Sequence, residues 1–261
     1  MIRKRLLFSV LLIGLLSAGC AVKNCIQGEG KIITEQRDVN KPFDKISVAG
    51  EYDITISYGD NYSIRIEDYS NIISKLKTEV EDNTLKIHYD GECINNSRAK
   101  IYIMMPKIKK LSLAGSGDVK ILGNMQPVDM LKIALAGSGD IFVNNDFADS
   151  IHISVAGSGD TKILTDSIEY VKVSIAGSGD ASLQGEFAKQ LKISIAGSGD
   201  INSLELPTDN VDVVISGSGT AKVFALKSLN ARVSGSGDAY YKGNPGITDF
   251  STSGSGEVHK L

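Results

Sequence analysis

The chain contains 261 residues, carries a formal net charge of −3, and has 6% aromatic residues and no tryptophan. This length is sufficient for one large folded domain, and the mildly acidic charge argues against a nucleic-acid partner, which requires a basic stripe. The sequence has no Cys-x-x-Cys pair and no histidine cluster, so it contains no recognisable zinc site and predicts no cofactor.

The first nineteen residues have the form of a secretory signal peptide. A basic start and an apolar run over residues 6–16 precede small residues and Cys20. The apolar run is shorter than the roughly 20 residues of a membrane-spanning helix. A cysteine at this place resembles a bacterial lipobox, although Ser17 stands where leucine is usual. The sequence therefore predicts a signal peptide over residues 1–19 and lipidation of Cys20.

Cleavage before Cys20 would remove three basic residues and change the formal charge from −3 to −6. The mature chain would then lack a polybasic stretch for anionic lipid headgroups, so we expect the lipid alone to attach it to the membrane. The expected location is the cell envelope, at the outer membrane, with surface or periplasmic exposure left open. Residues 20–29 have no periodicity and predict a tether. Cys25 and Cys93 either pair or remain free thiols.

Residues 30–110 are predicted to form an irregular β part. Several segments alternate polar with apolar residues, as half-buried strands do, and residues 71–77 could form a single helical turn. Ser47-Val-Ala-Gly-Glu looks like a degenerate copy of a repeat that dominates the rest of the chain. This part is therefore expected to share the architecture of the repeats, with insertions.

Residues 111–261 contain the tetrapeptide Gly-Ser-Gly-Asp, or a close variant, eight times. A period of about 20 residues is the signature of a stacked repeat architecture. The copies end at Asp118, Asp140, Asp160, Asp180, Asp200, Thr220, Asp238 and Glu257.

Two apolar columns accompany the tetrapeptide, five and seven residues before its last position. Positions two apart lie on the same face of a strand, so these columns predict the core. They contain Leu113, Leu135, Val155, Ile175, Ile195, Ile215, Val233 and Thr252, and Leu111, Ile133, Ile153, Val173, Ile193, Val213, Ala231 and Phe250. The residues between them, and those eight before the aspartate, are mostly polar and are expected to face solvent.

Each repeat is predicted to be a strand, a Gly-Ser-Gly corner, a second short strand and a loop with turn residues, such as Pro207-Thr-Asp-Asn. About 20 residues suits one coil of an all-β, single-stranded parallel β-solenoid, and the chirality of parallel crossovers favours a right-handed one. A β-sandwich or a meander of hairpins is the rival architecture. The alternating pattern continues straight through each corner, which favours a bend over a tight reversal.

The tandem Ala/Ser-Gly-Ser-Gly-Asp strands follow Phe43-Asp-Lys-Ile-Ser-Val-Ala-Gly-Glu-Tyr-Asp-Ile-Thr-Ile and Leu76-Lys-Thr-Glu-Val-Glu-Asp-Asn-Thr-Leu-Lys-Ile. This combination resembles the auto-transporter adhesin head GIN-domain family, formerly a domain of unknown function, over about residues 30–261. The resemblance implies an exported or lipid-anchored bacterial protein with a β-helical, solenoid-like fold. It transfers no catalytic residues.

The aspartate column is the sharpest chemical feature of the repeats. Like charges stacked about 5 Å apart repel one another by about 1 kcal/mol in water, so something should offset the repulsion. Each aspartate could accept backbone N–H bonds at its own corner, as in turns. The alternative is a row of Ca²⁺ sites, although the spacing does not match the known nonapeptide pattern. That row would consist of Asp118, Asp140, Asp160, Asp180 and Asp200.

No catalytic residue is predicted. The serine of each Gly-Ser-Gly is a repeated strand residue without matched histidine and aspartate partners, unlike a hydrolase nucleophile. Two other surfaces could bind a glycan. One is the lysine column, which could bind an acidic polysaccharide or could simply be a solvated strand face. This column turns acidic at Asp212 and Asp249. The other is an aromatic spot that could equally cap the last coils. The lysines are Lys110, Lys132, Lys172 and Lys192, and the aromatic residues are Phe224, Tyr240 and Tyr241.

The sequence favours a non-enzymatic, lipid-anchored envelope protein with a structural or adhesin-like role toward an unknown protein or glycan. A carbohydrate-active β-helix enzyme is one alternative, but it would need acids and bases clustered at non-repeating positions. An envelope accessory with a protein partner is another. The incomplete last coil leaves an edge through which the chain could form a homo-oligomer.

Overall fold

The computed structural model describes residues 25–261. The predicted signal peptide, the lipidation residue Cys20 and the first part of the predicted tether lie outside these residues. The N-terminal part contains nine strands and a 3₁₀ turn over Ile73–Lys75, where a single helical turn was predicted. The strands are β1 (Ile26–Gln27), β2 (Ile32–Arg37), β3 (Lys45–Ala49), β4 (Asp53–Tyr58), β5 (Ser63–Tyr69), β6 (Leu76–Glu81), β7 (Thr84–Tyr89), β8 (Ile94–Asn95) and β9 (Lys100–Met105).

The repeats form parallel coils that stack in register. Val173 lies beside Ile193, and Ile193 lies beside Val213 in the next coil. The all-β parallel solenoid predicted from the period is therefore confirmed. Its strands are β10 (Lys110–Gly115), β11 (Val119–Ile121), β12 (Val128–Gly137), β13 (Ile141–Asn145), β14 (Ala148–Gly157), β15 (Thr161–Gly177), β16 (Ala181–Gly197), β17 (Ile201–Gly217), β18 (Thr220–Gly235), β19 (Asp238–Lys242), β20 (Ile247–Gly254) and β21 (Val258–Lys260).

The predicted loop of each repeat is absent from the central coils. Strands β15 to β18 continue for 16 or 17 residues, through the positions where turn residues were expected. Residues 207–210 were predicted to form a turn, but they lie inside β17, and Thr208 is fully buried. Proline is tolerated within a sheet at irregularities, and the register here shifts between Ser203 and Thr208. The variable part of these repeats is therefore a third stacked side of the coil.

Both predicted apolar columns lie in the core, except at the last coil. From Leu111 to Val233 every member of the two columns is at most 2% exposed. The last members, Phe250 and Thr252, are exposed because no further coil covers them among the described residues. Each coil contributes only a few side chains, so the continuous core exists only because the coils stack.

The N-terminal part contributes two more coils, stacked in an order that differs from the sequence. Strand β3 pairs in parallel with β10, placing Val48 beside Leu113, and β4 pairs with β11. The degenerate Ser47-Val-Ala-Gly-Glu segment is thus a true coil position. On their other side, β3 and β4 pair in parallel with β7 and β9. A later segment of the chain therefore lies outside an earlier one.

Antiparallel strands cover the outer edge of these two coils. Strand β5 pairs with β2 and β9, and β6 pairs with β7. At the end of β5 lies Asp68, fully buried, which accepts four hydrogen bonds within this end layer. Burial raises the pKa of Tyr89 to about 12, so its hydroxyl stays protonated and donates to Asp68 at 3.1 Å.

A disulfide joins Cys25 to Cys93, which settles the question left open by the sequence. Strand β1 pairs in parallel with β8 directly after the two cysteines. The described end of the predicted tether therefore lies against the N-terminal part and is held there covalently. Among residues 25–261, no helix has the length and hydropathy that a membrane span requires.

Candidate functional site: charged columns along the solenoid

Both glycines of each Gly-Ser-Gly corner are required by the stacking of the coils. Gly177 has a φ of 141°, and a Cβ atom there would lie 2.3 Å from the carbonyl oxygen of Gly157 in the preceding coil. A Cβ atom on the second glycine, Gly179, would lie 2.2 Å from the Gly159 oxygen. The corners thus bring consecutive coils into backbone contact and place the aspartates directly above one another.

The aspartates fasten each corner to the next coil. The backbone N–H of Asp140 donates to Oδ1 of Asp118 at 3.1 Å. The same bond recurs at successive corners, with N–H donors on Asp160, Asp180, Asp200 and Thr220 at 2.7–3.0 Å, and again from Glu257 to Asp238 at 3.0 Å. The expectation that each aspartate caps its own corner is therefore wrong. The side chain reaches one coil further because the flat glycine corner leaves the next backbone N–H directly above it.

A groove of about 530 Å³ runs beside five of these aspartates. We call it the aspartate groove. The exposed carboxylates of Asp118, Asp140, Asp160, Asp180 and Asp200 line one side. On the other side lie the residues two positions later, Lys120, Phe142, Lys162, Ser182 and Asn202. The groove is built entirely from repeated positions, so its shape continues over five coils.

The Ca²⁺ row considered from the sequence gains no support from this geometry. Within the described part of the chain, no group of three or more His, Cys, Asp or Glu side chains is placed to hold a metal ion. Each coil supplies one carboxylate, and one oxygen of that carboxylate already accepts the backbone bond of the next coil. Calcium takes six to eight oxygen ligands, which this arrangement does not gather.

A second column of like charge runs along another line of the surface. Lys110 lies in register with Lys45 of the N-terminal part and with Lys132 of the following coil. The column continues through the next three coils with His152, Lys172 and Lys192. We call these six residues the lysine column. It begins one coil earlier than the sequence repeats indicated, and it ends where Asp212 follows Lys192.

The pKa of His152 is affected by the positive charge of this column. It is half-buried between Lys132 and Lys172, and its ring contacts the edge of Tyr170, with 5.4 Å between centroids. Burial lowers the pKa of His152 below its ordinary value, and the adjacent Lys172 and Lys132 lower it further. Burial, together with the cationic neighbours, therefore favours the neutral imidazole.

The aromatic residues near the C-terminal end contact one another across coils. Tyr240 stacks on His259 with 5.0 Å between centroids, and Tyr241 lies 5.8 Å from Phe250. The ammonium of Lys242 lies 4.7 Å from the centre of the Phe224 ring. These contacts join the last coils and favour the capping interpretation over a free sugar platform.

Comparison with known proteins identifies a matching family and solved structures that share this architecture. Residues 42–184 and 127–245 match the family described as "Putative auto-transporter adhesin, head GIN domain". The crystal structure of a "putative lipid binding protein" from Parabacteroides distasonis ATCC 8503 is 28% identical, with a TM-score of 0.80, and the match covers 90% of this chain and 99% of that one. A "putative adhesin" from Bacteroides fragilis NCTC 9343 is 26% identical over 90% of this chain and 100% of its own, with a TM-score of 0.68.

A "putative adhesin" from Parabacteroides distasonis ATCC 8503 shares the fold, with a TM-score of 0.79 and 22% identity over 91% of this chain and 100% of its own. No curated protein matches the chain. The family match extends over more than half of the sequence and over both the N-terminal coils and the repeats. This chain belongs to the auto-transporter adhesin head GIN-domain family.

Proposed function

We propose that the protein is a non-enzymatic, adhesin-like binding protein of the cell envelope, anchored by a lipid on Cys20. The observation that carries this proposal is the in-register surface. From Lys110 to Gly197 each coil presents its side chains directly beside the equivalent side chains of the next coil. Such a surface suits an extended partner that is itself repetitive, because each coil can repeat the same contact.

Membership of an adhesin family supports a binding role over catalysis. The groove is composed of repeated positions, whereas a catalytic site would concentrate different acids and bases at one place. A carbohydrate-active enzyme therefore remains the weaker alternative. An accessory role with a protein partner would use the same exposed columns. The location of the protein, in the periplasm or on the cell surface, would distinguish this role from adhesion.

Binding of an amphiphile is a second candidate function, favoured by the aspartate groove. Its lining combines carboxylates with the half-buried ring of Phe142, and its volume lies within the range of small-molecule sites. A relative of 28% identity is described as a lipid binding protein. Native mass spectrometry of protein extracted gently from envelopes would reveal a retained lipid. The variant Ser182→Trp, which fills the groove, should lose that lipid, whereas Ser174→Trp, on another outward column, should retain it.

The experiment for the main proposal is detergent-phase fractionation combined with protease treatment of intact cells, comparing the wild-type protein with Cys20→Ala. We expect the wild-type protein to enter the detergent phase and to be cleaved on whole cells, and the variant to be released or left unprocessed. Anchored protein that resists the protease would place it in the periplasm and favour a partner within the envelope. Wild-type protein that never enters the detergent phase would overturn the lipid anchor.

A further inference from the structure

We propose that the lysine column binds a linear acidic polysaccharide, with successive coils contacting successive parts of the sugar chain. This inference deepens the adhesin-like function and rests on it for its biological setting. The column consists of Lys45, Lys110, Lys132, His152, Lys172 and Lys192, stacked in register over six coils.

The positive charge of the column is not neutralised by the protein. Within residues 25–261, none of the five lysines of the column forms an ion pair. Elsewhere the same stacking is used to pair opposite charges: Lys189 binds Glu169 of the preceding coil at 2.7 Å. The chain could have placed acids along the column in the same way, but it places lysines and one histidine. The column therefore attracts an external anion along its whole length.

The spacing of the column suits a polymer with a charge on each unit. Consecutive coils lie about 4.8 Å apart, which is close to the length of one pyranose unit in an extended chain. Six members in register therefore place a line of cations along a length of about six sugars. The column ends sharply, since Asp212 follows Lys192, so the footprint is finite.

The surface beside the column is flat enough for a sugar chain to approach the ammonium groups. The two outward positions that follow each lysine or histidine are serine or alanine in the five coils from Lys110 to Lys192. They are Ser112, Ala134, Ser154, Ser174 and Ser194, and Ala114, Ala136, Ala156, Ala176 and Ala196. Beyond the end of the column, Val214 and Arg232 occupy the first of these positions, whereas Ser216 and Ser234 keep the second one small. The small residues at the first position and the cations thus end together.

A depression of about 400 Å³ lies at the N-terminal end of the column. Four lysines surround it, together with Val128, Met130 and Asp129; they are Lys45, Lys109, Lys110 and Lys132. One of the four, Lys109, forms an ion pair with Asp44 at 3.1 Å, which leaves the three column lysines to act on a ligand. We infer that the end of the polysaccharide or a short acidic branch occupies this depression.

Other polyanions fit these features less well. A nucleic-acid duplex presents two charged backbones and needs a broad basic face, whereas this column is one residue wide on a chain with a net charge of −3. An anionic bilayer is a plane and would contact the neighbouring columns as well as this single line of cations. A single flexible chain of acidic sugars is the ligand that one line of cations matches.

The test uses the purified mature protein and hexagalacturonate, a linear oligosaccharide of six uronic acids, with neutral maltohexaose as the comparison. Calorimetry would measure affinity for the wild-type protein and for Lys110→Gln/Lys132→Gln/Lys172→Gln. The matched control is Lys31→Gln/Lys77→Gln/Lys222→Gln, which removes three exposed charges outside both the lysine column and the aspartate groove. We expect the column variant to lose affinity at least tenfold, the control to stay within twofold, and added salt to weaken binding.

A nuclear magnetic resonance titration gives a second readout, because the chain contains only three histidines. An acidic ligand on the column should raise the pKa of His152, which faces Lys132, Lys172 and Tyr170, and a purely structural role of the lysines would not produce this change. Circular dichroism would verify that both triple variants are folded.

Several outcomes would overturn the inference. They are equal losses in both triple variants, equal binding of maltohexaose, absence of hexagalacturonate binding by folded wild-type protein, and a stronger preference for duplex DNA or phosphatidylglycerol vesicles through the same lysines. Each of these could occur in a protein that is anchored and exposed on cells. Failure of this inference is therefore distinguishable from failure of the proposed function.

Discussion

The backbone N–H of Asp180 donates to Oδ1 of Asp160 at 2.9 Å, although the two residues are one full coil apart in the sequence. The backbone N–H of Asp160 in turn donates to Oδ1 of Asp140. The aspartates thus form a row of side-chain-to-backbone hydrogen bonds that join successive coils. These hydrogen bonds offset the repulsion between the stacked carboxylates, because each charged carboxylate accepts one of them.

Replacement of Asp160 by alanine should lower the free energy of unfolding by about 1 kcal/mol, the net contribution of one such bond. Asp160→Asn should cost less, because the amide oxygen still accepts the N–H of Asp180 and one repulsive charge is removed. Urea unfolding would measure both, with Asp166→Ala as a control on an exposed aspartate of the strand that follows Asp160. Equal losses in the alanine and asparagine variants would contradict the role assigned to the accepted bond.

Gly177→Ala should destabilise the solenoid by about 2–4 kcal/mol. The φ of 141° disfavours any side chain, and the new Cβ atom would lie 2.3 Å from a backbone oxygen of the neighbouring coil, which has no freedom to move away. Gly246→Ala is the matched control, since no atom lies within 4 Å of its Cβ position. That control should change stability by less than about 1 kcal/mol. Thermal and urea unfolding would compare the two, and similar midpoints would refute the explanation of the corner.

The sequence was sufficient to predict the stacked coils because period and alternation directly reflect which side chains face the core. Leu113, Leu135 and Val155 lie where their spacing placed them. The direction of the aspartate bonds was not predictable, since turn chemistry describes only neighbours along the chain and Asp118 bonds to a residue 22 positions later. The third side of the coils was missed because Pro207 and its polar neighbours resemble a turn, and only stacking converts them to a bulged strand.

The lysine column was only partly visible in the sequence. Lys110, Lys132, Lys172 and Lys192 share a repeat position, whereas Lys45, 65 residues before Lys110 in the sequence, joins them only because β3 stacks on β10. The alignment of Ser47-Val-Ala-Gly with the repeats was the signal that could have found it. The spatial order of the N-terminal coils depends on long-range pairing, which local patterns do not specify.

Asp68→Ala should destabilise the N-terminal part by about 2–4 kcal/mol. The fully buried carboxylate accepts bonds from the backbone N–H groups of Tyr69 and Arg98 and from two hydroxyl groups, so its loss leaves buried donors without acceptors. Asp68→Asn should cost less, because hydroxyls can turn to accept from the amide. Hydrogen exchange would show whether β5 and β9 lose protection first. A neutral effect of the alanine variant would refute this role of the network.

Self-association through the last coil stays a prediction. Strand β20 pairs with β18 on one side, and its other edge faces solvent in the described structure, with Ile247 70% and Phe250 41% exposed. Sedimentation velocity should show concentration-dependent dimers that Phe250→Lys weakens about tenfold, since a charged edge resists strand pairing. Leu122→Lys, at a residue 42% exposed on another coil, should leave association unchanged. Wild-type protein that is monomeric at every concentration would exclude this interface.

Lys172→Gln should raise the pKa of His152 in the free protein. Burial and the two adjacent lysines hold this pKa below the ordinary value of 6.5, so removing one lysine returns it part of the way. Since the unfolded chain binds the proton more readily, His152 contributes stability that is complete above pH 6.5 and declines as the pH falls through that value. The decline should be smaller in Lys172→Gln. Chemical-shift titration of the imidazole would measure the pKa, with Lys222→Gln as the control on a different column. An unchanged pKa in Lys172→Gln would show that the lysines are too far from the ring to act on it.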